Sequence, residues 1–117
     1  MKQLIGLLTL ASSLSTFAAP LPLGQNLEGL VSFCTTEAEA KAVVQAHQAN
    51  GLAVASRMVQ QSPTCDTATV GFKIVREVSM ISHGDKKVYV LEIQIEMADD
   101  SWKPFYGMFI FPRGVEA

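Results

Sequence analysis

The chain has 117 residues, 49% of them hydrophobic and 17% charged, with a formal net charge of −2. That length suits one small domain, and a near-even charge balance without a basic stripe argues against nucleic acid as a partner. Beyond the N-terminal segment, no stretch approaches the roughly 20 apolar residues that a spanning helix requires.

The N-terminus reads as an export signal. Lys2 is followed by the apolar run Leu4-Ile5-Gly6-Leu7-Leu8-Thr9-Leu10-Ala11, which fades into Ser and Thr and ends at Phe17-Ala18-Ala19-Pro20. A basic start, a short apolar middle and small residues at the cut are the parts of a cleavable signal peptide. Cleavage is placed after Ala18, with Thr16 and Ala18 as the small residues, because a cut after Ala19 would put Pro20 across the scissile bond. The alternative, an uncleaved anchor, suffers from a run that is short, diluted by Ser and Thr, and closed by Pro20 and Pro22. The sequence therefore predicts three parts: a signal peptide over 1–18, a flexible lead over 19–28, and a single domain over 29–117. The mature chain is expected in the periplasm or outside the cell, with no stable membrane insertion after signal cleavage.

Within the domain, Gly29–Cys34 is a candidate first strand. Thr36-Glu37-Ala38-Glu39 then matches a capping box, with acids suited to the positive end of a helix dipole. The helix runs to about Ala49, where Asn50-Gly51 reads as a stop. Leu52, Ala55, Met58 and Val59 recur at near-helical spacing, as a second helix or as a continuation carrying Gly51 inside it. Ser62-Pro63-Thr64 ends the helical part.

The remainder reads as antiparallel sheet. Val70, Phe72 and Ile74 alternate with Gly71, Lys73 and Val75, and Ser82-His83-Gly84-Asp85 reads as a turn. From Lys87 to Met97 the alternation is regular: Tyr89, Leu91, Ile93, Ile95 and Met97 share one face, and Val88, Val90, Glu92, Gln94 and Glu96 the other. Asp99-Asp100-Ser101 is a second turn. Pro104 and Pro112 bracket a last strand, with Phe105, Gly107, Phe109 and Phe111 on one face and Tyr106, Met108 and Ile110 on the other. The fold class expected is α+β: one or two N-terminal helices packed on a three- to four-stranded antiparallel meander.

Cys34 and Cys65 are the only cysteines and flank the helical insert. In an exported chain an even count argues for a disulfide, here with only one intramolecular pairing available. A reactive thiol or an intermolecular bridge is the alternative, and no Cys-x-x-Cys or Cys/His pair points to redox chemistry.

Catalytic signatures are missing: there is no nucleophile elbow, His-Glu-x-x-His, phosphate loop or dinucleotide fingerprint, and no cofactor or metal is expected. His47 reads as a partly exposed helix residue and His83 as a solvated turn residue. A small hydrolase would have to draw on Glu92, Glu96, Asp99 or His83. The last strand is apolar on both faces and needs cover on both. One face takes the helices. The other is covered by the N-terminal segment or a sheet curl, or else it is an interaction surface, with Val88, Val90, Tyr106, Met108 and Ile110 as its residues and a protein partner or a second copy as its occupant. Lys103, Pro104, Pro112 and Arg113 flank the run as gatekeepers. The function expected is therefore a non-enzymatic exported binding module, with a small exported hydrolase or a structural envelope component as alternatives.

Cys34-Thr35-Thr36-Glu37, the stretch Ala53–Val59, and Cys65-Asp66-Thr67-Ala68-Thr69-Val70-Gly71-Phe72 together resemble small exported bacterial two-cysteine proteins of unassigned function. That resemblance covers under half of the mature chain and implies no activity. The order of helix then meander is also similar to cystatin-like folds, but the Gln-x-Val-x-Gly inhibitor loop is absent, so that function does not carry over.

Overall fold

A computed structural model of the chain describes residues 21–112. The expected signal peptide (1–18), its cut after Ala18, and Arg113 lie outside the described residues. The elements are β1 (Leu27–Cys34), α1 (Glu37–Asn50), α2 (Leu52–Gln61), β2 (Cys65–His83), β3 (Lys86–Glu96) and β4 (Trp102–Pro112). Two helices pack on a four-stranded antiparallel sheet, and one disulfide joins Cys34 to Cys65.

The sheet is not an open meander. β1 pairs with β2 over its whole length, from Leu27 opposite Phe72 to Cys34 opposite Cys65. It also pairs with β4, at Ser32 opposite Met108, Phe33 opposite Gly107 and Cys34 opposite Tyr106. That second edge closes the strands into a small barrel in the order β1-β2-β3-β4. Closing a sheet of four strands needs strong coiling, and β2 supplies it. Its register against β3 shifts between Ile74 and Arg76 and again between Glu77 and Ser79, leaving Val75 and Val78 as extra residues. Bulges of this kind bend and twist a strand. They also change its phase: Phe72 and Ile74 point into the barrel, whereas Val78 joins the layer beneath the helices.

Turn chemistry fits each hairpin. Gly84, with φ +65°, opens the two-residue connection between His83 and Lys86. Between β3 and β4, Asp100 takes φ +68°, and the Asp99 carboxylate accepts from the Ser101 amide (3.1 Å) and hydroxyl (2.5 Å). Asp99-Asp100 is thus a turn built from local side-chain bonding. Gly51, with φ +93°, separates the two helices, and its amide donates to the carbonyl of His47 (2.9 Å).

Two apolar layers result. Inside the barrel lie Val31, Phe72, Ile74, Tyr89, Leu91, Ile93 and Ile95, joined by Phe33, Phe105, Phe109 and Phe111. Between barrel wall and helices lie Cys34, Ala40, Val43, Val44, Ala55, Val59, Val88 and Val90. Each fully buried aliphatic such as Leu91 or Ile93 contributes about 1.5–3 kcal/mol of transfer free energy. The small residues of α1 let it sit close to the wall, with Ala40 fully buried.

Two expectations need correction. The first strand begins at Leu27, two residues earlier than the alternation suggests. The segment before it is anchored at several points: Leu21 packs on the inner layer, Leu23 bridges to Ile74, and the Gly24 amide donates to the Ile74 carbonyl (3.0 Å).

Candidate functional site

The two apolar faces of β4 are both covered. The Phe-rich face looks into the barrel, closed by the curl of the sheet, and the opposite face takes the helices. Residues read as an outward patch are therefore mostly interior: Val88 is 2% exposed and Val90 0%, while Tyr106 and Met108 are half-buried against the helix layer. Ile110 remains open, at 41%. An exposed sheet face formed by all five does not exist, because α1 and α2 lie over it.

Coverage of the helix-side face is incomplete. Near the outer end of β4 the helices leave a cleft of about 90 Å3. α1 contributes Val43, Val44 and His47 to it, and α2 contributes Leu52, Ala55, Ser56 and Val59. The barrel wall gives Ser32, Val88, Met108 and Ile110. Three of the five residues singled out in the sequence thus line the cleft, with Val88 buried in its wall and Ile110 exposed. Leu52, 59% exposed, stands on the helical side. The helical half of the lining went unrecognised, although Leu52, Ala55 and Val59 form the apolar stripe that a surface helix turns toward a core.

The only two histidines of the chain meet at this cleft. His47 sits in the last turn of α1 and is 8% exposed; its ring packs edge-on against His83, with centroids 4.9 Å apart. His47 Nδ1 is buried without a hydrogen-bond partner. Burial holds the His47 imidazole below the usual histidine pKa, and the neighbouring His83 and Lys86 push the same way. The expectations of a partly exposed His47 and a solvated His83 are therefore corrected: the first is buried and the second half-buried, and their rings meet. Nothing local in the sequence signals this contact, since it is made by the end of a helix meeting the end of a hairpin.

The carboxylates proposed for hydrolysis are not brought together. Glu92 is engaged by Arg76 Nε at 2.6 Å, Glu96 is exposed at the far end of β3, and Asp99 is held in the turn beyond it. His83 lies just before the opposite end of β3, whose 11 residues span roughly 35 Å at about 3.3 Å each. Among the described residues, no group of three His, Cys, Asp or Glu side chains is placed to hold a metal ion. No helix among them is long and apolar enough to cross a membrane.

Fold and site together define a small α+β domain, clamped by a disulfide, with an apolar cleft where two helices meet a barrel wall. No family model, no curated protein and no solved structure matches the chain.

Proposed function

We propose that this chain is an exported, non-enzymatic binding module that seats an apolar side chain of a polypeptide partner in the cleft between α1, α2 and the barrel wall. The observation that carries this reading is the lining itself: mainly aliphatic, with Ser32, His47 and Ser56 as its polar members, and including exposed Leu52 and Ile110. Apolar concavities with few polar groups are the usual form of a binding site. Export is supported by residues 1–18 and by the Cys34–Cys65 bond, which suits an oxidising compartment. On this reading the chain stands with the small exported two-cysteine proteins it resembles.

Size and charge favour a side chain as the occupant. At about 90 Å3 the cleft is smaller than the cavity of roughly 150 Å3 that takes up benzene, which leaves room for one branched aliphatic group. No lysine or arginine lines it to pair with the acid head of a fatty acid or lipid. The dispersal of Glu92, Glu96, Asp99 and His83 supports the non-enzymatic side of the proposal.

The test is a methyl-shift titration of the oxidised mature chain with N-acetyl-leucinamide, with octanoate as comparator. The expected result is saturable shifts at Val43, Val44, Val59, Val88, Met108 and Ile110 with the leucine amide. Unmoved methyls, or tighter binding of octanoate, would overturn the choice of occupant. So would a dimer in sedimentation whose interface covers these residues.

A further inference from the structure

The histidine contact occupies a mechanically distinctive position. α1 covers the barrel wall beside β3 and β4, and its last turn ends at His47, whose carbonyl is capped by the Gly51 amide. That turn meets the ring of His83 on β2, and Lys86 follows on β3 just past the two-residue hairpin turn. The other cleft walls bring no carboxylate toward His47: β1 contributes Ser32, β4 contributes Met108 and Ile110, and α2 contributes Ser56 with its apolar neighbours. A proton taken up by His47 is thus placed against another imidazole and near an ammonium. The C-terminal end of the α1 dipole favours a cation, but burial and two neighbouring basic groups work against it.

We propose that the His47–His83 contact is an acid-sensitive latch: while neutral it holds the last turn of α1 on the β2–β3 hairpin, and protonation releases that turn and widens the cleft. The second half of this inference rests on the cleft being the binding site. The lowered pKa of His47 has the matching sign. Its folded value lies below the unfolded one, so the unfolded or released state binds more protons between the two. Stability of the latched state is complete above the ordinary histidine value of about 6.5 and is lost as pH falls below it. The unpartnered Nδ1 adds to the effect, because release lets water satisfy it.

Hydrogen exchange on the oxidised mature chain separates latch from cleft. Between pH 7.5 and 5.5, after correction for intrinsic exchange, protection of the Gly51 amide is expected to fall several-fold. Barrel amides of Leu91 and Ile93 should keep theirs, and the fall should vanish in His83→Gln and in His47→Phe. Unchanged protection at Gly51, a uniform loss across the barrel, or a fall that persists in both variants would overturn the latch. His83→Gln alters a half-buried residue at a hairpin end, so it keeps the test available if His47→Phe fails to fold. N-acetyl-leucinamide is then titrated at both pH values. Affinity at least threefold higher at pH 5.5 is the expected result, and equal affinity would overturn the coupling to the cleft. If the latch responds but the amide binds at neither pH, the binding reading fails and the latch stands.

Discussion

Phe33 on β1 lies directly opposite Gly107 on β4, at the centre of the three residue pairs that close the barrel. The glycine is a steric requirement there. A Cβ at Gly107 would come within 2.6 Å of Phe109 Cε1 and 3.1 Å of Ile93 Cδ1. The Phe109 ring covers the place where a side chain would stand. Gly107→Ala is therefore expected to destabilise the fold by about 1–3 kcal/mol, the usual cost of forcing an extra carbon into a packed core. Chemical denaturation with a two-state fit measures it. A substitution as stable as the parent would mean the closure is looser than described.

Cys34 and Cys65 are cross-strand neighbours on β1 and β2, with Cα atoms 4.0 Å apart, and their bond encloses both helices. The sequence separation is 31 residues, for which loop closure gives about 3–4 kcal/mol in the chain-entropy picture. Replacing both cysteines with alanine is expected to lower the unfolding free energy by that amount. In the native oxidised protein, thiol titration should find no free thiol, whereas two free thiols would refute the bond.

The start of α1 is tied to the end of the helical insert. Thr36 caps the helix by accepting from the Glu39 amide at 3.2 Å. The Glu39 carboxylate accepts from the hydroxyl of Thr64, from Ser62 at 2.9 Å and from Thr36 at 3.5 Å. Thr36→Ala is expected to cost about 1 kcal/mol, as for other threonine caps, read as a fall of several degrees in melting temperature. The hydroxyl of Thr64, then that of Ser62, holds Glu39 below the usual carboxylate range. Its contribution is accordingly present at neutral pH and lost as pH falls through that range. Glu39→Gln should flatten the acid limb of a stability–pH profile, and an unaltered limb would remove Glu39 from the explanation.

Much of this architecture is legible in the residues. The strict alternation of β3 assigns Tyr89, Leu91, Ile93 and Ile95 to one face, and all four lie in the barrel. Thr36 and Gly51 mark the helix ends, and the two cysteines can pair in only one way within the chain. Alternation, however, says which residues share a face and not which neighbour that face meets. Val88, Val90, Tyr106 and Met108 were grouped correctly but set on the open side, although the helices lie there. Closure by β1 was not readable either, because it depends on one strand finding two partners far along the chain. The bulge at Val75 reverses the parity of β2 and the bulge at Val78 restores it, so a simple alternation misassigns only the residues between them. The meeting of His47 and His83 depends on where the end of α1 settles on the β2–β3 hairpin.

The most direct measurement is saturation of the cleft by N-acetyl-leucinamide, followed through methyl shifts in the parent and in Leu52→Asp, which puts a carboxylate on an exposed part of the cleft lining. With about a dozen heavy atoms at roughly 0.3 kcal/mol each, the ligand should bind in the millimolar range. Saturable shifts at Val43, Val44, Val59, Val88, Met108 and Ile110, with binding weakened at least fivefold in Leu52→Asp, would support this binding site. Absence of saturable shifts in the parent, or equal binding by Leu52→Asp, would contradict it.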